Sequence, residues 1–296
     1  MGTLCVVGSL NMDTTLKVSV LPTAGETVLA SHRQMSPGGK GANQAAAAAA
    51  AGGEVAMVGA VGDDAAGAVA VESLKQRGVD VTGVAIIREA GTGTAVVLVA
   101  EDGENLIVVD PGANGALASN WATDRLTELT PRITLTQLEI PLACIDAVAA
   151  SGRTGMLVVN PAPMIADSSS LAAVLGAADV LTPNRGELGR LSRRPTPGTA
   201  EEVDACVAAL GFRGHLVVTL GAAGAAIYPA DGGRVVVPAL SVRAIDTSGA
   251  GDVFCGVLGS RLAADVDLVD AVRDANEAAG LGTTIQGAQV PLDFTF

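Results

Sequence analysis

Short apolar runs ending in turn residues recur along this 296-residue chain, with helical stretches between most of them. They are "LCVVG" (4–8), "VAMVGAVG" (55–62), "ITLTQLE" (133–139), "GMLVVNPAP" (155–163), "ADVLTPN" (178–184) and "HLVVTLG" (215–221). Near-continuous apolar runs of this length read as strands buried on both faces, and such strands need helices above and below them. "AAGAVAVESLKQRG" and "EEVDACVAALG" are two of the covering helices. The alternation predicts a single α/β domain over residues 1–296, a doubly wound, mostly parallel, Rossmann-like sheet.

A second texture interrupts it. "DTTLKVSVLP" (13–22) puts Leu16, Val18 and Val20 on one face, opposite Lys17 and Ser19. "ETVLASHRQ" (26–34) and "TGTAVVLVAEDGENLIVVD" (92–110) also read as strands, the latter folded back at "EDGE". No helix separates the members of these pairs. Segments near 13–36 and 92–110 therefore predict a small separate sheet, a lid, whose apolar edges two subunits could bury in a homodimer.

Composition removes several function classes. With 49% hydrophobic and 17% charged residues the chain is not disordered. A net charge of −13 and 2% aromatics oppose nucleic acid, which needs cationic grooves and stacking platforms. No unbroken apolar run of roughly 18 residues is present to span a membrane. "MGTLCVVGSLNMD" has no basic leader and enters a strand at once. Cys5, Cys144, Cys206 and Cys255 lack metal-ligand spacing, so reduced thiols and a cytoplasmic location are expected. His32 and His215, the two histidines, read as structural rather than as a zinc pair or a triad base.

Three stretches carry chemistry. "SPGGKGANQA" (36–45) looks like a phosphate loop but is not one, because Gly41 follows Lys40 where a P-loop has a hydroxyl. Its glycines let backbone approach a ligand, and Asn43 offers a donor and an acceptor at the start of an alanine helix; a plain turn with Asn43 as cap fits too. "GSLNMD" (8–13) ends the first strand at Asp13, an acceptor for two neighbouring hydroxyls or a simple turn residue. "AIDTSGAGDVFCGVLGSRLA" (244–263) carries the strongest signal. A strand-like segment ends at Asp246, and Gly249-Ala250-Gly251 then opens a helix with Val253, Phe254, Val257, Leu258 and Leu262 on one face. Free N–H groups at a helix start form an anion hole. Asp252 beside that hole suits a base that takes a proton from a hydroxyl while the hole neutralises a transferring phosphoryl group.

From Val6 to about Pro291 the chain resembles the ribokinase group of the PfkB-type carbohydrate kinases. "GAGD" carries the wider likeness, and "GGKGANQA" with "TQLEIP" the narrower one. The resemblance implies ATP-dependent phosphorylation of a sugar, foremost D-ribose. Another kinase of the family, acting on deoxyribose, a ketohexose or a nucleoside, is the alternative, and a non-catalytic sugar-binding regulator a more distant one. It also implies roles. Asn11, Asp13, Gly39, Lys40, Asn43 and Glu139 would hold the sugar, and Asp252 would be the base. Gly249, Ala250 and Gly251 would form the anion hole. Asn184, Thr219, Gly221, Gly224 and Asn276 would line the ATP site, with Glu187 organising Mg2+ and its waters. Asp246 with carbonyls of Ser248, Gly282, Ile285 and Gly287 would hold K+. One departure stands out: "TPNRGEL" has Arg185-Gly186 where the family carries an acidic or polar pair.

Overall fold

The computed structural model describes residues 3–152, 155–164 and 168–296. Among the described residues the main sheet has nine strands. Their spatial order is β13 (Val235–Val237), β12 (Ala225–Tyr228), β11 (His215–Thr219), β10 (Val180–Leu181), β9 (Met156–Val159), β8 (Ile133–Thr136), β1 (Leu4–Val7), β4 (Val55–Gly62) and β5 (Asp80–Ile87). β5 through β11 run parallel in space, and β12 and β13 close one edge antiparallel.

Alternation of side chains sorts the core into two layers. Leu4 and Val6 of β1 face one side with α1 (Lys40–Ala50), α2 (Ala65–Gln76), α8 (Ala250–Ala263) and α9 (Leu268–Gly282). Cys5 and Val7 face the other. There they meet α3 (Ser119–Leu129), α4 (Leu142–Ala150), α5 (Ala172–Ala177), α6 (Arg185–Leu191) and α7 (Ala200–Leu210). The four cysteines are buried free thiols. Trp121, on α3, donates from its indole to the Gly83 carbonyl at 2.8 Å and is half-buried. His215 accepts from the Ala230 amide, a structural bond.

α1 and α8 pack unusually closely. Ala45, Ala46, Ala47 and Ala48 are buried, and a Cβ at Gly256 would collide with the Gln44 carbonyl. Small residues on both helices thus set their separation, as crossing helices require.

The second sheet has the order β3 (His32–Gly38), β2 (Asn11–Val18), β6 (Thr94–Ala100) and β7 (Asn105–Asp110). β2–β3 and β6–β7 are antiparallel and β2–β6 parallel. Two strand expectations need correction. Residues 26–31 form no strand: β3 begins at His32, the partner of Lys17 in the last β2–β3 pair, and the Ser31 amide closes that ladder by donating to the Lys17 carbonyl at 2.8 Å. Nor does a strand precede Asp246. The amides of Ile245 and Asp246 donate instead to the Thr283 carbonyl, which takes that segment away from the sheet edge.

Candidate active site

The carboxyl ends of the strands, where open α/β sheets bind ligands, surround a cavity of about 210 Å³. Lys40, Asn160, Asn184, Glu187, Thr219, Thr247, Gly249, Ala250, Gly251, Asp252 and Cys255 contribute to its wall.

The first turn of α8 forms one side. Gly249 caps it at φ 72°, in the left-handed region that favours glycine, and a Cβ there would strike the Ala288 carbonyl. The first amides of a helix lack intrahelical acceptors, so Gly251 and Asp252 present N–H groups where the helix dipole is positive. Asp252 is buried. Its oxygens accept from Asn43 Nδ2 at 3.0 Å and from Gln44 Nε2 at 3.1 Å. Gln44 Oε1 accepts in turn from Gln137 Nε2 at 2.6 Å. Asn43 is therefore no helix cap: it is the fourth residue of α1, where Gly39 stands at the cap position. Its Oδ1 is buried without a partner among the described residues, an acceptor left for a ligand.

Lys40 carries the positive charge. Burial alone would lower its ammonium, but Asp252, Glu139 and Glu187 outweigh that and hold it above the ordinary lysine value. Glu139 accepts from Ser9 Oγ at 2.5 Å and from the Lys40 amide at 3.0 Å, which ties the loop after β1 to the start of α1. Asp13, on β2, accepts from the Ala95 amide at 3.1 Å. Burial first, and the charge of Glu139 after it, push Asp13 up to about 6.

Asn184 and Glu187 form a reciprocal capping box on α6. Burial pushes Glu187 above its ordinary value, against the Asn184 amide and Lys40. Arg185, the departure noted above, turns away and donates to the Gly198 carbonyl at 3.1 Å. Cys255 faces Thr182 Oγ1 at 3.4 Å, and burial pushes its thiol up to about 12, which makes it a neutral wall at physiological pH.

The nucleotide residues divide. Thr219 reaches the cavity. Gly221 and Gly224 sit in the turn between β11 and β12, where the Leu220 amide donates to the Gly224 carbonyl. Asn276, on α9, does not line the cavity; it donates to the Val237 carbonyl at 3.1 Å and fixes α9 to the edge strand. Asp246 accepts from the Ser248 and Gly287 amides at 2.9 Å each. Burial works against its ionisation, but those amides hold it below the ordinary carboxylate value. It thereby joins the loop before α8 to the loop that follows Gly282, the last residue of α9, and holds Ile285 and Gly287.

Chemistry of this layout is that of a phosphoryl-transfer centre: a buried carboxylate, free helix amides and a lysine around one cavity. A model of the pfkB family of carbohydrate kinases matches residues 1–294. The chain belongs to the PfkB family of carbohydrate kinases. The Bacillus subtilis ribokinase is 36% identical, over 98% of this chain and 95% of that protein. The Schizosaccharomyces pombe ribokinase is 35% identical, over 96% and 92%. The structure of Arabidopsis thaliana ribokinase complexed with ribose and ATP superposes with a TM-score of 0.89 at 32% identity, covering 97% of this chain and 94% of that one.

Several side chains of this PfkB site escaped sequence reasoning: Gln44, Gln137, Asn160 and Asn114. Each is buried and polar. Gln137 and Asn160 directly follow apolar strands at their carboxyl ends, a position that marks ligand-facing residues in such sheets. That signal was readable; Gln44 and Asn114 had none.

Proposed function

We propose that this protein transfers the γ-phosphoryl group of ATP to the primary hydroxyl of D-ribose, giving D-ribose 5-phosphate and ADP. The observation that carries the reading is the joining of α1 to α8 through Asn43 and Asp252 beside the free amides of α8. Ribokinase relatives covering nearly the whole chain support ribose as the sugar.

Asn11, Asp13, Gly39, Lys40, Asn43 and Glu139 would hold the sugar between the two sheets. Asp252 then takes the hydroxyl proton as the oxygen attacks phosphorus in line. The Gly251 amide, in the turn that Gly249 and Ala250 shape, and Lys40 would face the charge that shifts onto the phosphate oxygens, whereas the Ala250 amide is already taken by the Thr247 carbonyl at 3.3 Å. Thr219, Gly221 and Gly224 would border the nucleotide, with Asn276 behind them holding that wall in place.

Mg2+ bound with ATP would supply charge neutralisation on the phosphates. Asn184 already donates to both Glu187 oxygens, which fits a metal held through water rather than by direct ligation. K+ would fit between the loops that Asp246 joins, where among the described residues no cationic side chain pairs with that carboxylate. There it would order the anion hole without touching ATP.

The small sheet acts as a lid that excludes water from the phosphate. Leu106, Ile107, Val108 and Val109 of β7 are all exposed, and a second copy would cover them in a homodimer. Among the described residues no helix is long and apolar enough to cross a membrane. We place the enzyme in the cytoplasm, where its buried thiols stay reduced.

The test is ADP release across a panel of pentoses, hexoses and nucleosides. D-ribose should exceed 2-deoxyribose by at least about tenfold in kcat/KM, the cost of leaving a buried polar group unpaired. A preference for 2-deoxyribose, a ketohexose or a nucleoside would overturn the choice of sugar.

A further inference from the structure

Asn114 lies in the short 3-10 turn Gly112–Ala116, just after β7, and is buried. Its Oδ1 accepts from the Leu10 amide at 2.9 Å. Its Nδ2 donates to the Leu10 carbonyl at 3.0 Å and to Asn11 Oδ1 at 2.8 Å. A backbone amide can only donate and a backbone carbonyl can only accept. Leu10 therefore fixes which end of the Asn114 amide is which. The second N–H of Asn114 must then meet an acceptor, so Asn11 is forced to present Oδ1 to it. That leaves Asn11 Nδ2 facing the other way, toward Asp13, whose carboxylate the Asn11 amide helps keep ionised.

The surroundings admit no easy alternative. A Cβ at Gly93 would collide with Asn114 Nδ2 and crowd Asn11 Oδ1, so the residue before β6 must be bare for the amide pair to fit. Asn114, which follows β7, and Gly93, which precedes β6, put both roots of the β6–β7 hairpin against Asn11.

We infer that Asn114 is a positioning residue for sugar recognition: it orients the Asn11 amide so that a donor, beside the acceptor Asp13, faces the sugar hydroxyls. This rests on the placement of the sugar at Asn11. A flipped Asn11 would set two acceptors side by side and favour a different hydroxyl geometry.

The experiment uses Asn114→Leu, near in volume but without an amide, and the milder Asn114→Ser. Each is made in the wild-type and the Asn11→Ala backgrounds. Steady-state kinetics give kcat and the KM values for D-ribose and ATP, and thermal unfolding shows that each variant is folded. Asn114→Leu should raise the KM for D-ribose about tenfold, the worth of one oriented hydrogen bond. Its kcat should stay within about twofold and its KM for ATP should not move. In the Asn11→Ala background the same change should add less than about twofold, because its effect passes through Asn11. If Asn114→Leu fails to fold, Asn114→Ser carries the test with the same signature. Equal effects in both backgrounds, or a fall in kcat at constant KM, overturn the inference. So does a raised KM in Asn11→Ala beside Asn114 variants that match wild type. An unchanged KM in Asn11→Ala alone overturns the placement of the sugar at Asn11, and the inference falls with it.

Discussion

The α1–α8 seam and the small sheet are built on opposite terms. The seam is closed before any ligand arrives: Ala45 to Ala48 are buried, Gly256 lies against backbone, and both oxygens of Asp252 already accept N–H donors. The small sheet is barely covered. Ile107 is 56% and Val108 60% exposed, and Asp13 sits half-buried with its carboxyl raised. The difference separates two duties. Groups that must stabilise a transition state gain from fixed geometry, whereas groups that admit and release a sugar must tolerate an open state.

Asp252→Asn attacks the seam most directly. Turnover should fall about 10²- to 10⁴-fold while D-ribose still binds. Single-turnover kinetics with calorimetric titration of the sugar check this, and turnover near wild type would remove Asp252 from the base role. Gly249→Ala comes next. It forces a left-handed alanine into the Ala288 carbonyl, so kcat/KM should drop by at least about tenfold and the unfolding temperature should fall as well. A kinetic loss without destabilisation would show that the cap is less rigid than the seam around it.

Ile107→Lys probes the other region. Sedimentation should show a dimer in wild type and a monomer in the variant, with kcat changed less than in either seam variant. A monomeric wild type would break the account of β7 as a covered edge. Asp13→Asn gives the smallest effect and the most telling sign. Folded Asp13 titrates near 6, above the ordinary carboxylate value of 3.8. Between those values the folded protein keeps a proton that the unfolded chain has released, so this carboxyl makes stability fall as pH rises through that window. Asp13→Asn should flatten that fall and stabilise the sugar-free protein at pH 7 by about 1–2 kcal/mol, discounted for partial exposure. It should also shrink the preference for ribose over 2-deoxyribose. Stability curves against pH for both proteins test the first point, and a steeper fall in the variant would contradict it.

Local chemistry made parts of the site legible in sequence. Gly249-Ala250-Gly251-Asp252 followed by a helical apolar stripe is a contiguous device, and its physical meaning needs no distant residue. The strand alternation was legible for the same reason, since burial on both faces is written into each run. What could not be read depends on tertiary pairing. Residues 26–31 have strand composition but lie beyond the last β2–β3 pair, Lys17 with His32. Asn43 read either as a ligand contact or as a cap, and only the helix start at Lys40, which carries it to Asp252, removes the cap. Asn276 is drawn to Val237, across the join of α9 and the sheet edge. Gln44 stands directly before an alanine run, where nothing announces that it will support a carboxylate 208 positions away.

That separation has a consequence for synthesis. The residues proposed to hold the sugar, from Asn11 to Glu139, leave the ribosome before α8, and β1, in the centre of the sheet, must wait for both its neighbours. The proposed base, Asp252, arrives only with α8, late in translation, and contacts so distant in sequence form slowly. On that proposal a nascent chain holds half a binding site, yet it has no means of splitting ATP until the last fifth of the polypeptide has docked.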